Sequence, residues 1–227
     1  MSSNMNRRAF LGASLWTLAL TACGNSAQNT AQPSSTQAEG AKQDEPGKVE
    51  GGVLVTPYDE GYSSGFHHAT IEVADYGTIK LELNATNTPI TVSNFAHLVN
   101  EKFYDGLTFH RIIEGFMVQG GDPNGNGTGG TTPTIKGEFS GNGVVNAILH
   151  KRGVISMARS QDMDSASSQF FIMHEANDSL DGQYAAFGKV TEGMGVVDKL
   201  AKVPVQDGNG TVDKKDQPKI TSIRMDD

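Results

Sequence analysis

From residue 66 onward the chain is a succession of short apolar stretches separated by glycine, proline and small polar residues. Ala69-Thr70-Ile71-Glu72-Val73 alternates apolar and polar positions, as does Thr78-Ile79-Lys80-Leu81-Glu82-Leu83, and Asp75-Tyr76-Gly77 is a turn signal between them. The pair predicts a hairpin. After Thr88-Pro89 the apolar residues Ile90, Val92, Phe95, Leu98 and Val99 follow a helical period, with Thr88 as N-cap and Pro89 at the first helical position. Further strands are predicted at Thr108–Ile112, Phe116–Gly120, Gly153–Ala158, Gln169–Met173, Ala186–Val190 and Ile220–Met225, with a second helix over Gly193–Leu200. Many short strands, two helices and 27 glycines predict a mainly β fold, a closed antiparallel barrel in which closure removes exposed edges.

The first 22 residues read as an export signal and stand outside the fold. Asn6-Arg7-Arg8-Ala9-Phe10-Leu11 resembles a twin-arginine signal, and the apolar stretch to Ala22 is short of the roughly twenty residues a membrane helix needs. Leu20-Thr21-Ala22-Cys23 resembles the lipobox of bacterial lipoproteins, which implies lipid modification of Cys23. Cys23 is the only cysteine, so no intramolecular disulfide forms. Residues 24 to about 52 are Gln, Ser, Thr, Ala, Gly and Pro with scattered charge, and the linker is taken to run over residues 23–65. Such a segment buries too little apolar surface to offset its ordering entropy, and it is assigned to a flexible lipid-anchored linker. Val53-Leu54-Val55 within it also fits a short strand, although the linker reading is preferred. Residues 66–227 then make one domain, on a protein expected to be exported and anchored at the extracytoplasmic face of a bacterial membrane.

Charge narrows the partners. The formal net charge is −8, and removing Arg7 and Arg8 from the 18 Lys+Arg leaves 16 against 26 Asp+Glu, or −10. An acidic domain without a basic stripe argues against nucleic acid and against electrostatic adhesion to anionic lipid.

Three motif matches fail on context. Gly61-Tyr62-Ser63-Ser64-Gly65 has the spacing of a nucleophile elbow but lacks a strand before it and a helix after it. Gly125-Asn126-Gly127-Thr128-Gly129-Gly130 has dinucleotide-fingerprint spacing but runs into Thr-Thr-Pro-Thr, so it reads as a glycine-rich loop. His174-Glu175 opens like a zinc-protease helix, but Asp178 stands where the second histidine belongs. No metal or other cofactor is expected.

The informative run is Phe109-His110-Arg111-Ile112-Ile113-Glu114-Gly115-Phe116-Met117-Val118-Gln119-Gly120-Gly121-Asp122. A guanidinium inside a strand-like apolar stretch must be paired and hydrogen-bonded to be tolerated, so a purely structural strand has little reason to carry one. Together with Asn94-Phe95, Phe103-Tyr104-Asp105-Gly106, Gly127-Thr128-Gly129-Gly130, Met157-Ala158, Ser168-Gln169-Phe170-Phe171, Leu180-Asp181-Gly182 and Phe187-Gly188-Lys189-Val190, the run closely resembles the cyclophilin family of peptidyl-prolyl isomerases. The resemblance extends from about Phe66 to the C-terminus. It implies an eight-stranded barrel with a helix capping each end, and proline-containing polypeptides as substrates of a monomeric enzyme.

The residue types suit that chemistry. Amide resonance sets a barrier of roughly 18–20 kcal/mol to rotation about an X-Pro bond. Twisting the bond localises a lone pair on the prolyl nitrogen, so a fixed guanidinium donor and an apolar grip on the ring suffice, with no nucleophile or metal. By position in the family pattern Arg111 is the catalytic donor. Phe116, Met117, Phe171 and Leu180 line the proline pocket, Gln119 and Gln169 bind substrate, Ala158, Arg159 and Ser160 present backbone to the peptide, and Tyr184 lies at the rim. Ser179 departs from the family, which often has tryptophan there, and Tyr184 stands where it often has histidine. The loop Arg159–Ala166 is about one residue longer than is common. These departures bear on substrate preference and cyclosporin binding. Two other classes fit parts of the pattern: a non-catalytic peptide-binding module, which does not need Arg111, and a solute-binding lipoprotein, which about 160 residues are too few to shape into two lobes.

Overall fold

A computed structural model of the protein describes residues 46–227. In chain order the elements are β1 (Val49–Glu50), β2 (Val53–Leu54), β3 (Phe66–Val73), β4 (Gly77–Asn84), α1 (Pro89–Asn100), β5 (Phe109–Ile113), β6 (Met117–Gly120), β7 (Thr134–Ile135), β8 (Val154–Met157), β9 (Phe170–Met173), β10 (Ala186–Glu192), α2 (Met194–Leu200) and β11 (Ile220–Met225). Eight strands form one antiparallel sheet in the order β11-β3-β4-β10-β8-β9-β6-β5, so the mainly β architecture with two helices stands. Alternation in the hairpin does what the pattern requires: Ala69, Ile71 and Val73 of β3 and Ile79, Leu81 and Leu83 of β4 face the core. Phe95 of α1 packs there, 5.3 Å from Tyr104, 5.4 Å from Phe187 and edge-on to Phe170 at 5.9 Å.

Closure is less complete than expected. The outermost strands β5 and β11 do not share a ladder; they meet only at one end, through the Thr108–Lys219 bridge and the bonds Phe109 N–H to Pro218 O (2.9 Å) and Ile220 N–H to Leu107 O (2.8 Å). Beyond that point a turn at residues 207–211 occupies the edge of β5: Ile112 N–H donates to Gly210 O (2.8 Å) and Val212 N–H to His110 O (3.0 Å).

The linker boundary also moves. Residues 23–45 lie outside the described residues, as do Arg7, Arg8 and Cys23. Residues 46–65, assigned to the same linker, are folded. β1 pairs with β2, and β2 runs parallel to β7 in a small second sheet. Few apolar side chains suffice because they are well placed. Leu54 is fully buried in the main core, and Tyr58 stacks on His97 of α1 at 4.4 Å. Glu60 lies 2.6 Å from His97 Nδ1.

Helix α1 begins at Pro89 as expected, with Thr88 in the N-cap position, but Thr88 makes no capping bond; its hydroxyl donates to Asn84 O (2.9 Å). The free N–H groups go to Glu138, which is buried. Its Oε1 accepts from Ile90 N–H (3.0 Å), and its Oε2 accepts from Thr91 N–H (2.7 Å) and the Thr91 hydroxyl (2.6 Å). Burial pushes the Glu138 carboxyl up to about 6, against the pull of those donors.

Candidate active site

Strands β8 and β9 are buried at every position, unlike the alternating hairpin. One face of β9 (Phe170, Ile172) joins the main core. The other face (Phe171, Met173) joins a second apolar cluster with Met117, Val154 and Ala186, against which Phe116, Ala158, Leu180 and Tyr184 pack. An apolar layer on the outer side of a barrel is the feature that makes a pocket possible here.

A β-bulge sets the polar edge of that layer. Phe109 pairs with Gly120, yet Arg111, rather than His110, pairs with Gln119, so β5 carries one extra residue. The bulge puts Arg111 on the outer face opposite Gln119, while His110 is buried near Gly127 of the following loop. Gln119 in turn pairs with Phe171, so Arg111, Gln119 and Phe171 stand in one row across β5, β6 and β9. Neither ring nitrogen of His110 is hydrogen-bonded, and burial holds its pKa below the ordinary value, which favours the neutral ring beside the guanidinium.

Arg111 is half-buried and held twice. Its Nε–H donates to Asn209 O (2.9 Å) and Nη1 to Gln119 Oε1 (3.2 Å). Burial lowers its proton affinity, while Tyr184 and Asp207 act in the opposite sense. Amide polarity then runs through the sheet. Gln119 Nε2 donates to Gln169 Oε1 (2.9 Å), and Gln169 Nε2 donates to the carbonyls of Gly127 (3.2 Å) and Gly129 (2.7 Å). Two backbone carbonyls accept only, so they fix the orientation of Gln169, which fixes Gln119, which leaves Gln119 Oε1 to accept from Arg111. The loop carrying those carbonyls is shaped by Asp122, whose carboxylate accepts from the N–H groups of Asn124 (2.8 Å), Asn126 (2.9 Å) and Gly127 (2.5 Å).

Two adjoining depressions result. One, of about 370 Å³, is lined by Arg111, Phe116, Met117, Phe171, Leu180 and Tyr184, with Gln119 at its edge. The other, of about 250 Å³, is lined by Thr128, Gly129, Ser160, Ser165 and Gln169. Arg159 is a wall of both. Its guanidinium lies 4.8 Å from the Tyr184 ring centre and 5.1 Å from that of Phe139, and Nε donates to Gln183 O (3.0 Å).

Residues 68–225 match the family model described as cyclophilin type peptidyl-prolyl cis-trans isomerase/CLD. The chain belongs to the cyclophilin-type peptidyl-prolyl cis-trans isomerases. It is similar to peptidyl-prolyl cis-trans isomerase B of Bacillus subtilis (strain 168), with 50% identity over 120 residues, 53% of this chain and 80% of the relative. It is also similar to peptidyl-prolyl cis-trans isomerase A of Dickeya dadantii (strain 3937), 46% identical over 136 residues, which cover 57% and 69% of the two chains. Among solved structures, the cyclophilin type peptidyl-prolyl cis-trans isomerase of Cryptosporidium parvum in the presence of the dipeptide Ala-Pro has a TM-score of 0.63 and 30% identity, covering 70% of this chain and 99% of that one.

Within this cyclophilin domain, nine of the residues singled out in the sequence (Arg111, Phe116, Met117, Gln119, Ala158, Arg159, Phe171, Leu180 and Tyr184) meet in the larger depression. Ser160 and Gln169 belong to the smaller one. The backbone N–H groups of Ala158 and Ser160 are already engaged, by Gln169 O (2.9 Å) and the Ser165 hydroxyl (2.9 Å), so they are not free to bond a peptide. Ser179, next to Leu180, donates from both its N–H (3.0 Å) and its hydroxyl (2.6 Å) to Asn177 Oδ1, which locks the turn carrying Leu180. Sequence reasoning passed over Asn209, whose carbonyl holds Arg111; its only local signal is the turn-forming string Asp207-Gly208-Asn209-Gly210. It also passed over His150. That residue is fully buried between Asp181 Oδ1 (2.9 Å from Nδ1) and the Ser156 hydroxyl (3.0 Å from Nε2), its ring stacked 6.0 Å from Phe171 behind the pocket. Ser156 is fully buried too, so this Ser–His–Asp string braces Phe171 rather than attacking a substrate.

Proposed function

We propose that the chain isomerises X-Pro bonds in extracytoplasmic polypeptides, acting as a monomer, with Arg111 stabilising the twisted amide over an apolar proline pocket. The observation that carries this reading is a guanidinium fixed by two hydrogen bonds at the rim of a depression floored by Phe116, Met117 and Phe171. The ring of proline fits that floor. As the bond twists, the prolyl nitrogen regains a lone pair, and an N–H of Arg111 donates to it in a geometry set before the twist begins. A donor more useful to the twisted state than to either planar isomer lowers the barrier without any covalent step. Proline isomerisation takes tens to hundreds of seconds unaided, so the gain falls on slow folding steps. The test is isomerisation of a proline tetrapeptide by the purified protein. Acceleration supports the reading, whereas binding without acceleration replaces it with a peptide-binding module.

Export and anchoring rest on the Arg7-Arg8 pair and the lipobox-like Leu20-Thr21-Ala22-Cys23. Wild-type protein is expected to fractionate with membranes, and Cys23→Ser to be released or left unprocessed. Processing and membrane retention of Cys23→Ser equal to wild type rejects the anchor.

The rim gives a further expectation. Ser179 supplies neither an indole donor nor a flat apolar surface, so cyclosporin should inhibit weakly. Ser179→Trp should tighten inhibition by about 1–3 kcal/mol, reduced by loss of the hydroxyl bond to Asn177. Tight inhibition of the wild type with no gain in the variant removes Ser179 from the inhibitor surface.

A further inference from the structure

A guanidinium tied at one nitrogen can swivel about that bond, whereas one tied at two is fixed in its plane. Gln119 supplies the first tie to Arg111, and the carbonyl of Asn209 supplies the second, on Nε. Among the described residues Nη2 makes no hydrogen bond, so it and the second Nη1 hydrogen remain for the reacting amide. The position of one exposed backbone carbonyl therefore decides how the donor is presented.

That carbonyl sits in a turn organised by Asp207. Asp207 Oδ1 accepts from Asn209 N–H (2.9 Å) and Thr211 N–H (3.1 Å), and Oδ2 accepts from the Thr211 hydroxyl (2.9 Å). Its own backbone O accepts from Gly210 N–H (3.1 Å). The turn is laid flush on β5. Gly210 has φ +82°, and a Cβ there would run into the Ile112 carbonyl and the Ile113 side chain, so only glycine allows the approach. Two backbone bonds, Ile112 N–H to Gly210 O and Val212 N–H to His110 O, clamp it on either side of Arg111, opposite which Thr211 makes a bridge.

We propose that Asp207 is a positioning residue for Arg111: by closing the 207–211 turn it holds the Asn209 carbonyl against the guanidinium Nε–H and so presets the plane of the catalytic donor. The proposal rests on the catalytic reading of Arg111. The carboxylate also acts on Arg111 through its charge, offsetting part of the burial that weakens the cation. Those hydrogen bonds hold Asp207 itself in the ionised form, its pKa below the ordinary carboxylate value.

The experiment measures steady-state isomerase kinetics on a proline tetrapeptide together with NMR detection of the Arg111 Nε–H, identified by its disappearance in Arg111→Lys. Asp207→Ala should lower kcat about tenfold with KM changed less than about twofold, and should broaden or speed the exchange of the Nε–H signal. Asp207→Asn keeps an acceptor for Asn209 N–H and should retain kcat within about threefold, with the Nε–H signal intact. In an Arg111→Lys background, which has no Nε–H, Asp207→Ala should have no further effect on kcat. An Asp207→Ala protein with wild-type kcat and an unaltered Nε–H signal overturns the proposal, whatever its melting temperature. A lost signal with wild-type kcat in both Asp207→Ala and Arg111→Ala upholds the positioning and rejects the catalytic role of Arg111 instead.

Discussion

Arg111→Ala is expected to lower kcat by roughly a hundredfold or more, about 2.7–4 kcal/mol by analogy with oxyanion-hole donors, while KM moves much less. The reasoning is that the donor gains a partner only as the prolyl nitrogen regains its lone pair, so the loss falls on the transition state. The bonds of Arg111 to Gln119 Oε1 and Asn209 O occupy Nε–H and one Nη1 hydrogen and leave the other guanidinium N–H groups for the amide. Arg111→Lys should stay slow, because a point charge cannot satisfy the Gln119 and Asn209 oxygens and still offer a directed N–H to the amide. Phe171→Ala should impair kcat and KM together, since in the proposed mechanism the ring it removes packs on proline in ground and transition states alike. Circular dichroism on each variant separates these effects from misfolding. Full activity in folded Arg111→Ala ends the mechanism.

Glu138→Ala should cost about 3–5 kcal/mol of stability, read as a shift of the urea midpoint at constant m-value, because it orphans three buried donors at the start of α1. The pH dependence has a definite sign. Burial raises the folded carboxyl from 4.5 to about 6, so the folded state binds the proton more tightly. The group's favourable contribution is therefore present below about pH 4.5 and is lost as pH rises to about 6, a change of about 2 kcal/mol. Glu138→Gln cannot titrate, so its penalty relative to wild type should shrink by about that amount between pH 4 and 7. The difference is the quantity to measure, because buried His110 and His150, held neutral by pKa values below the ordinary one, push total stability the other way over an overlapping range. A penalty that grows with pH would mean that the three donors outweigh burial.

Much of this was legible in the chain because the strands are short and each has one burial logic. Ala69 to Leu83 alternates and gave a hairpin; Phe170–Met173 is apolar throughout because both its faces are covered, and it too read as a strand. Errors at the ends amount to one to three residues, as with β3, which begins at Phe66 rather than Ala69, and Phe116, expected in β6 but lying in the turn before it. What stayed hidden depends on partners distant in sequence. Thr88 looks like a helix cap, but the acceptor is Glu138, 48 residues from Ile90. Nothing local in Phe109-His110-Arg111 reveals which residue bulges, yet the bulge decides that Arg111 meets Gln119. Residues 46–65 have the composition of a linker; two-residue strands joined by backbone bonds and one buried leucine leave almost no periodic trace. Gln169 and Ser160 could be assigned to the groove from the family pattern, but their separation from the proline pocket depends on how Arg159 folds over Tyr184.

The folded segment at residues 46–65 has a mechanical consequence. A pull arriving from the N-terminal side of residue 46 is not delivered directly to β3. It is borne by the bonds between β1 and β2, the parallel pairing of β2 with β7, the seat of Leu54 and the stack of Tyr58 on His97. Further bonds share the load, from Gly47 N–H to Pro57 O (2.8 Å), from Lys136 N–H to Leu54 O (2.9 Å) and from Tyr58 N–H to the Ser93 hydroxyl (3.1 Å). The strands that position Arg111, Gln119 and Phe171 sit behind all of them. The folded segment therefore stands between those strands and any load that enters from the N-terminal side.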